Sequence, residues 1–425
     1  MNRQLFKIKG YLPLLSAQII SNLGDWLDIL ALLALIGMKW QASPFAVSVA
    51  MFCLAVPSIV FGSFAGVLAD RFDRKTLMII ADLVRAAAVI GIAFSTALWQ
   101  VYLLLIVKSI FGIIFNPAES GKIKEMVPEN LMQSAVATRE LVNNGAKIIG
   151  PMISGVLVAS VGIQWSFYLD SLSFLLSAAF LLGLPGRRRE QSTLDNGPAS
   201  KTARKSFFEQ FTEGLSLIKQ SPKLLVGLIV FSLTLLVLQI SDSQIVILIR
   251  EIKQSPVSIL GWIMAGSGAG MIAVALFLGK KQIRAYFSAL SIGCVGVGFG
   301  YILLGLLIHL PFLWMAIAYP VIAFIAGGSF AFVMIPFDVM AQKLTPVTHT
   351  GRVFGTIGSV TTTATVIGML SGGLITEAFN VIFTFVFAGG LLVLVGIVVS
   401  SCRRRLESGD DEAKSVEGTL RKKEG

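Results

Sequence analysis

The sequence predicts an all-α integral membrane protein, with twelve transmembrane helices in two six-helix bundles related by pseudo-two-fold symmetry. Three observations predict it. Hydrophobic residues make up 55% of the 425 residues and charged ones 14%, with a mean hydropathy of +0.80, whereas soluble domains carry roughly 25% charged residues. Apolar runs of about 20 residues, the length that crosses a bilayer core, recur along the whole chain and leave no room for a large soluble domain. A polar stretch near the middle, RRREQSTLDNGPASKTARKS, divides those runs into two equal sets.

Taken in order, the first six spans are expected at 11–37, 45–69, 76–98, 100–118, 136–161 and 166–184. The second six are expected at 222–248, 257–279, 284–307, 312–335, 351–376 and 380–402, each run ending at charge, Gly or Pro. The first run is too long for a signal peptide and has no small-residue cleavage site. The domains are then 1–185 (N-terminal bundle), 186–221 (cytoplasmic linker), 222–405 (C-terminal bundle) and 406–425 (disordered tail). Within the linker, FFEQFTEGLSLI reads as an amphipathic helix.

Charge sets the expected orientation. Segments on the side of the N-terminus hold 29 of the 35 Lys and Arg residues, so the positive-inside bias puts both termini in the cytoplasm of a cell (inner or plasma) membrane. The net charge of +11 is accounted for by loops facing anionic lipid, without nucleic acid. The arginine runs Arg187 to Arg189 and Arg403 to Arg405 read as stop-transfer anchors.

The halves also repeat. Pro117 maps to Pro336, Pro128 to Pro346, Gly155 to Gly373, Asn22 to Gln239 and Asp25 to Asp242, at offsets of 217 to 219 residues. A near-constant offset indicates a duplicated six-helix unit, the arrangement in which two bundles rock about a midplane site.

One loop carries a specific resemblance. GVLADRFDRK, between spans 2 and 3, resembles the signature loop of the major facilitator superfamily, which runs Gly, three residues, Asp, a basic residue, one residue, Gly, then basic residues. Gly66, Asp70, Arg71, Arg74 and Lys75 match, and Asp73 stands where the family has Gly; Asp tolerates the left-handed turn that Gly would make there. Together with the GDWLDI opening, the loop resembles the drug:proton antiporter branch that holds macrolide-efflux and siderophore-export proteins. In span 5, AKIIGPMISG is similar to the small-residue and Gly-Pro pattern of antiporter members, with Ala146, Gly150, Pro151, Ser154 and Gly155 matching. That resemblance implies export. Read physically, the loop's charges can hold one bundle arrangement and release it in another, and the span 5 residues allow close approach and a bend.

The candidate site lies among buried charges. Gln18, Asn22, Asp25 and Asp28 step by 4, 3 and 3, which lines them up on one face of a helix. Asp242 makes a similar stripe with Gln239 in span 7, Lys108 falls at mid-depth in span 4, and span 5 adds Glu140, Asn143, Asn144 and Lys147. An Asp facing lipid at a helix centre costs roughly 2.5 to 3.5 kcal/mol, so these groups are expected to face a wet cleft or one another. Three acids (Asp25, Asp28, Asp242) against two bases (Lys108, Lys147) leave one acid over. Burial favours a neutral acid and a nearby cation an ionised one, so small movements switch its protonation. Structural pairing with Lys108 or Lys147 is the alternative. Asp82 and Arg85 are expected to form a local pair, and Asp170 to be a helix-entry acid. Trp26, Trp262, Phe330 and Phe332 are candidates for lining a cleft.

Other chemistry is excluded. Cys53, Cys294 and Cys402 have neither metal nor disulfide-framework spacing, His309 and His349 are isolated, and no phosphate-cradling GxxxxGK[ST] occurs. GSGAG and GVGFG lie inside spans and read as helix packing. No enzyme activity, cofactor or metal is expected. One pH unit contributes about 1.4 kcal/mol and 100 mV about 2.3 kcal/mol per charge, enough together for a gradient of several hundredfold. The expected function is proton-coupled efflux of amphipathic small molecules such as macrolide-type drugs by a monomer, with protons, substrate and lipid as its partners. The alternatives are a siderophore exporter or lysophospholipid flippase on the same fold, and, in another class, a non-transporting sensor or assembly factor.

Overall fold

The computed structural model describes residues 4–185, 207–252, 258–279, 285–309, 311–345 and 350–407. Among them the regular structure is helical. The N-terminal set is α1 (Tyr11–Leu33), α2 (Pro44–Arg71), α3 (Arg74–Phe94), α4 (Leu98–Met126), α5 (Glu129–Val161) and α6 (Ile163–Leu182). An amphipathic helix, α7 (Phe207–Gln220), precedes the C-terminal set. That set is α8 (Pro222–Asp242), α9 (Ile245–Arg250), α10 (Ser258–Gly279), α11 (Tyr286–Leu306), α12 (Phe312–Leu344), α13 (Thr350–Ala378) and α14 (Val381–Glu407). Among the described residues ten helical segments, with α8 and α9 forming one of them, are long and apolar enough to cross a membrane. Two shorter apolar stretches, Pro44–Ser58 and Met152–Val161, lie in α2 and α5 and complete the twelve spans.

Local chemistry explains the helix ends. Ser43 accepts a hydrogen bond from the Ala46 N–H, and Pro44 follows at the first helical position, where its missing N–H costs nothing. Asp73 accepts from both the N–H and the hydroxyl of Thr76 and so caps α3. Its φ of −63° is not left-handed: the side chain that replaces the family's Gly is used as an acceptor. Gly162, at φ +87°, makes the one-residue corner between α5 and α6, a conformation that glycine takes without steric cost.

The structure corrects the expected bounds in three places. Spans 4 and 10 do not end near Pro117 and Pro336. Both prolines sit inside longer helices, α4 and α12, and the projecting end of α4 is tied to its neighbours by Glu119–Arg139 and Glu125–Arg74 ion pairs. Span 7 is broken between α8 and α9, where buried Gln244 sends its amide to Ser48 of α2, 2.9 Å away, and to Ser243. Span 1 finishes in a wider π-helical turn, Ala34–Lys39. The arginine run Arg187 to Arg189, His349, the linker as far as residue 206 and the tail beyond 407 lie outside the described residues. The amphipathic piece of the linker does form α7, with Ile218 buried against the end of the C-terminal set.

Within each set the helices cross closely through small residues. Gly266 and Gly270 of GSGAG lie against backbone carbonyls of α12, and Gly298 of GVGFG faces Gly389 of α14. The contacts we identify between the two sets all lie toward the end where α1 meets α2. There Arg250 donates to the Ala42 carbonyl (2.7 Å), Ser48 donates to the Met369 carbonyl (2.8 Å), and Gly155 of α5 meets Gly261 of α10 backbone to backbone.

Candidate functional site

The polar stripe of α1 faces α3, α4 and α6, and each contributes charge. Lys108 of α4 directs its ammonium to Asp28 Oδ2 at 2.5 Å, Asp25 Oδ1 at 2.9 Å and Asp170 Oδ2 at 3.7 Å. Arg85 of α3 reaches Asp25 Oδ2 at 2.6 Å with one Nη, and with the other Asp82 Oδ1 at 3.4 Å and Ser21 Oγ at 3.3 Å. Ser177 donates to Asp82 Oδ2 (2.5 Å), and Ser173 to Asp170 Oδ1 (3.2 Å). The Phe174 ring forms the apolar floor, with its centroid 4.0 Å from the Arg85 guanidinium carbon and 5.4 Å from Lys108 Nζ. Such contacts favour a desolvated cation.

Access divides this cluster. The Asp25 side chain is 34% exposed, whereas those of Asp28, Asp82 and Asp170 are 1% exposed or less. Asp25 opens into a cavity of about 330 Å³ where polar side chains, among them Gln18, Asn22, Asn116, Glu119 and Asn143, share the wall with apolar ones such as Ile29, Leu54 and Phe115. Asn143 Oδ1 accepts from both Gln18 and Asn22 at 2.9 Å, which links α5 to the α1 stripe.

The C-terminal set holds a cavity of similar size and far more apolar character. About 340 Å³ is enclosed by Phe231, Met264, Met271, Phe330 and Met334 together with Trp26 of α1. Asp242 is its one acid, and Tyr301 donates a hydroxyl to Asp242 Oδ1 at 3.3 Å. Neighbouring α1 residues therefore serve both cavities: Asp25 the polar one, Trp26 the apolar one. The span 5 motif fixes that junction. Gly150 lies directly against the Trp26 indole, where a Cβ would collide with it, and Ser154 donates to the Trp26 carbonyl at 2.7 Å.

Of the sequence candidates, Asp25, Asp28 and Lys108 come together, while Asp242 stands apart in the other set. Lys147 lies on α5, and its side chain is outside what the structure describes, as are those of Asp70 and Pro151. Trp26 and Phe330 line the apolar cavity; Trp262 is exposed. The loop residues find partners within their own set: Arg74 reaches the Gly121 carbonyl (3.0 Å) and Glu125 (2.8 Å), and Lys75 the carbonyls of Leu182 and Leu184. Two expectations are corrected. Asp170 is no helix-entry acid, since it is buried beside Lys108. Arg85 does more than pair locally, since it bridges α3 to Asp25. A signal for Asp170 was present: Ser166, Asp170, Ser173 and Ser177 recur at helical spacing and are all buried.

What this arrangement can do is hold charge out of water and exchange it. A carboxylate clamped by two cations beside a cavity can release them when a proton or another cation arrives. Among the described residues, Cys53 and Cys294 are buried thiols and Cys402 an exposed one, none bridged.

Comparison with known proteins agrees with this architecture. A family model described as Major Facilitator Superfamily matches residues 14–364. The chain is 41% identical over 415 residues to the uncharacterized MFS-type transporter YfiS of Bacillus subtilis, covering 96% of this chain and 97% of that one. It is 26% identical over 355 residues to macrolide efflux protein A of Streptococcus pyogenes, covering 81% and 84%. Among solved structures, the nucleoside transporter NupG superposes with a TM-score of 0.65 at 14% identity, over 92% of this chain and 98% of that one. At that identity the likeness concerns the fold alone.

Proposed function

Because the chain belongs to the major facilitator superfamily and is a multi-pass membrane transporter by that membership, we propose that it exports amphipathic small molecules, macrolide-type drugs among them, in exchange for protons. The observation that carries this reading is the placement of Asp25. It is the open member of a buried charge cluster, clamped by Arg85 and Lys108, and it directly precedes Trp26, which lines the apolar cavity. In this reading Asp25 and Asp28 carry the proton-linked site while Lys108 and Lys147 tune it. Asp242 with Tyr301 receives the positive end of a lipophilic substrate, whose apolar body lies among Phe231, Phe330 and the methionines. The likeness to macrolide efflux protein A supports export.

The protein lies in the cell membrane as a monomer with both termini in the cytoplasm, as two bundles (1–185 and 222–405) joined by the linker 186–221. Since the two sets meet at the α1–α2 end, the conformation described is open toward the cytoplasm. The loop from Gly66 to Lys75 gates that side, with Asp70 and Arg71 engaging the opposite bundle once it closes. Ala146, Gly150, Pro151, Ser154 and Gly155 make the hinge.

The test uses inverted membrane vesicles from cells with and without the chain, supplied from outside with a fluorescent lipophilic cation under an imposed pH gradient, acidic inside. Uptake is expected with the chain present and collapses when the gradient is removed. Uptake that ignores the gradient contradicts the coupling, and the absence of movement across a broad drug panel contradicts transport of this class.

A further inference from the structure

The charge cluster does not balance. Among its described side chains, four carboxyls (Asp25, Asp28, Asp82 and Asp170) surround two cations, Arg85 and Lys108. Three of those carboxyls are shielded from solvent. An uncompensated charge in such a place neutralises by taking up a proton rather than staying ionised.

The geometry identifies one place for that proton. Asp170 on α6 is surrounded by Asp25 and Asp28 of α1, Arg85 of α3 and Lys108 of α4, and α6 packs on α1 and α3 and meets α5 at the Gly162 corner. Lys108 approaches it least closely, at 3.7 Å against 2.5 Å for Asp28 and 2.9 Å for Asp25. Arg85 is occupied by Asp25 and Asp82. Asp170 Oδ2 makes no hydrogen bond, while its Oδ1 accepts from Ser173. Gly24 of α1 packs directly against this carboxyl and against Ser173, so a Cβ at position 24 would collide with both. The backbone of α1 is thus brought onto Asp170 with no counter-charge of its own.

We propose that Asp170 is a second proton-binding group of this protein, held as the neutral acid while Lys108 engages Asp25 and Asp28. Lys108 then has a reserve counter-ion within a small displacement of its ammonium. The use of that reserve during transport rests on the proton-coupled reading above, whereas the bound proton rests on the charge count of the described side chains together with their geometry.

Infrared spectroscopy of the full chain in lipid at neutral pH tests it. A carbonyl stretch of protonated carboxyl is expected in the wild type, and Asp170→Asn, which copies the neutral acid in shape and charge, removes one component while leaving the unfolding temperature near that of the wild type. Ser173→Ala moves the same component to higher frequency, since one donated hydrogen bond is lost. An unchanged band in folded Asp170→Asn overturns the proposal, as does a fall in unfolding temperature as large as that of Lys108→Met. If Asp170→Asn does not fold, the Ser173→Ala arm decides, and a band that does not move contradicts the assignment. A wild-type protein that shows the band but no gradient-driven transport separates failure of the coupling from failure of this site.

Discussion

The two cavities are close in volume and differ in chemistry, one mixed and charged, the other almost wholly apolar. In the N-terminal set, two cations and four carboxyls cluster at α1, and the space they border mixes amide and charged side chains with apolar ones. In the C-terminal set, one acid and one tyrosine hydroxyl face a wall of aromatic and methionine side chains. The repeat in the sequence puts Asp25 and Asp242 at equivalent positions, so the difference lies in what surrounds each acid. Asp25 has Arg85 and Lys108; among the described residues Asp242 pairs with Tyr301. A duplicated unit has kept its acid in both halves and its cations beside one of them. In the proposed reading, coupling ion and substrate occupy separate environments, joined at two consecutive residues of α1.

Breaking the charged side of this comparison has the largest expected effect. Lys108→Met leaves Asp28 buried without its ammonium, and removal of one partner from a buried pair costs about 3 to 5 kcal/mol. Thermal unfolding in detergent is expected to show a marked loss of stability, with transport abolished. Asp242→Asn, whose side chain faces open cavity, is expected to leave the unfolding temperature nearly unchanged. Equal losses in the two variants would erase the distinction between the cavities.

The seam between the halves comes next. Gly155→Val drives side-chain carbons into the Gly261 carbonyl across the α5–α10 crossing, and overpacking of that kind costs about 1 to 3 kcal/mol. The cost falls on the conformation described here, so spin-label distances across the α1–α2 end are expected to lengthen and the opposite state to gain population. Distances that stay fixed would show that this crossing does not open.

Within the apolar cavity, Asp242→Asn removes a charge contact of about 1.5 to 3 kcal/mol. Binding of a lipophilic cation is expected to weaken by about tenfold or more, with little change for a neutral analogue, as measured by quenching of Trp26 fluorescence in a chain whose other tryptophans are replaced. The smallest effect is expected at the loop. Arg74→Ala breaks a partly exposed pair with Glu125, which is worth about 0 to 1 kcal/mol, so stability should barely change.

Much of this was legible in the sequence because membrane solvation enforces it. Length and apolarity give the spans, since backbone polar groups in lipid must be satisfied within helices, and a polar stripe in such a span must face something polar. That reasoning finds Asp25, Asp28 and Lys108. It stops where the outcome depends on which neighbour a long side chain reaches. Arg85 is spaced for a local pair with Asp82, yet its guanidinium also reaches Asp25 on α1. Asp170 sits near a helix start, where an acid is unremarkable, and only the packing of α6 on α1 brings it to Lys108. The breaks and extensions were hidden for a related reason. Pro117 ends a helix by local preference, but neighbouring ion pairs carry α4 beyond it, and Gln244 interrupts an apolar run because its amide finds Ser48 across the seam.

The separation of proton and substrate sites is tested most directly by comparing two fluxes in proteoliposomes for Asp25→Asn and the wild type. These are exchange of a labelled lipophilic cation at equal pH, and its net movement driven by a pH gradient. The account predicts that Asp25→Asn keeps exchange and loses gradient-driven movement. Wild-type gradient-driven movement in Asp25→Asn, in Asp28→Asn and in the double variant would contradict it.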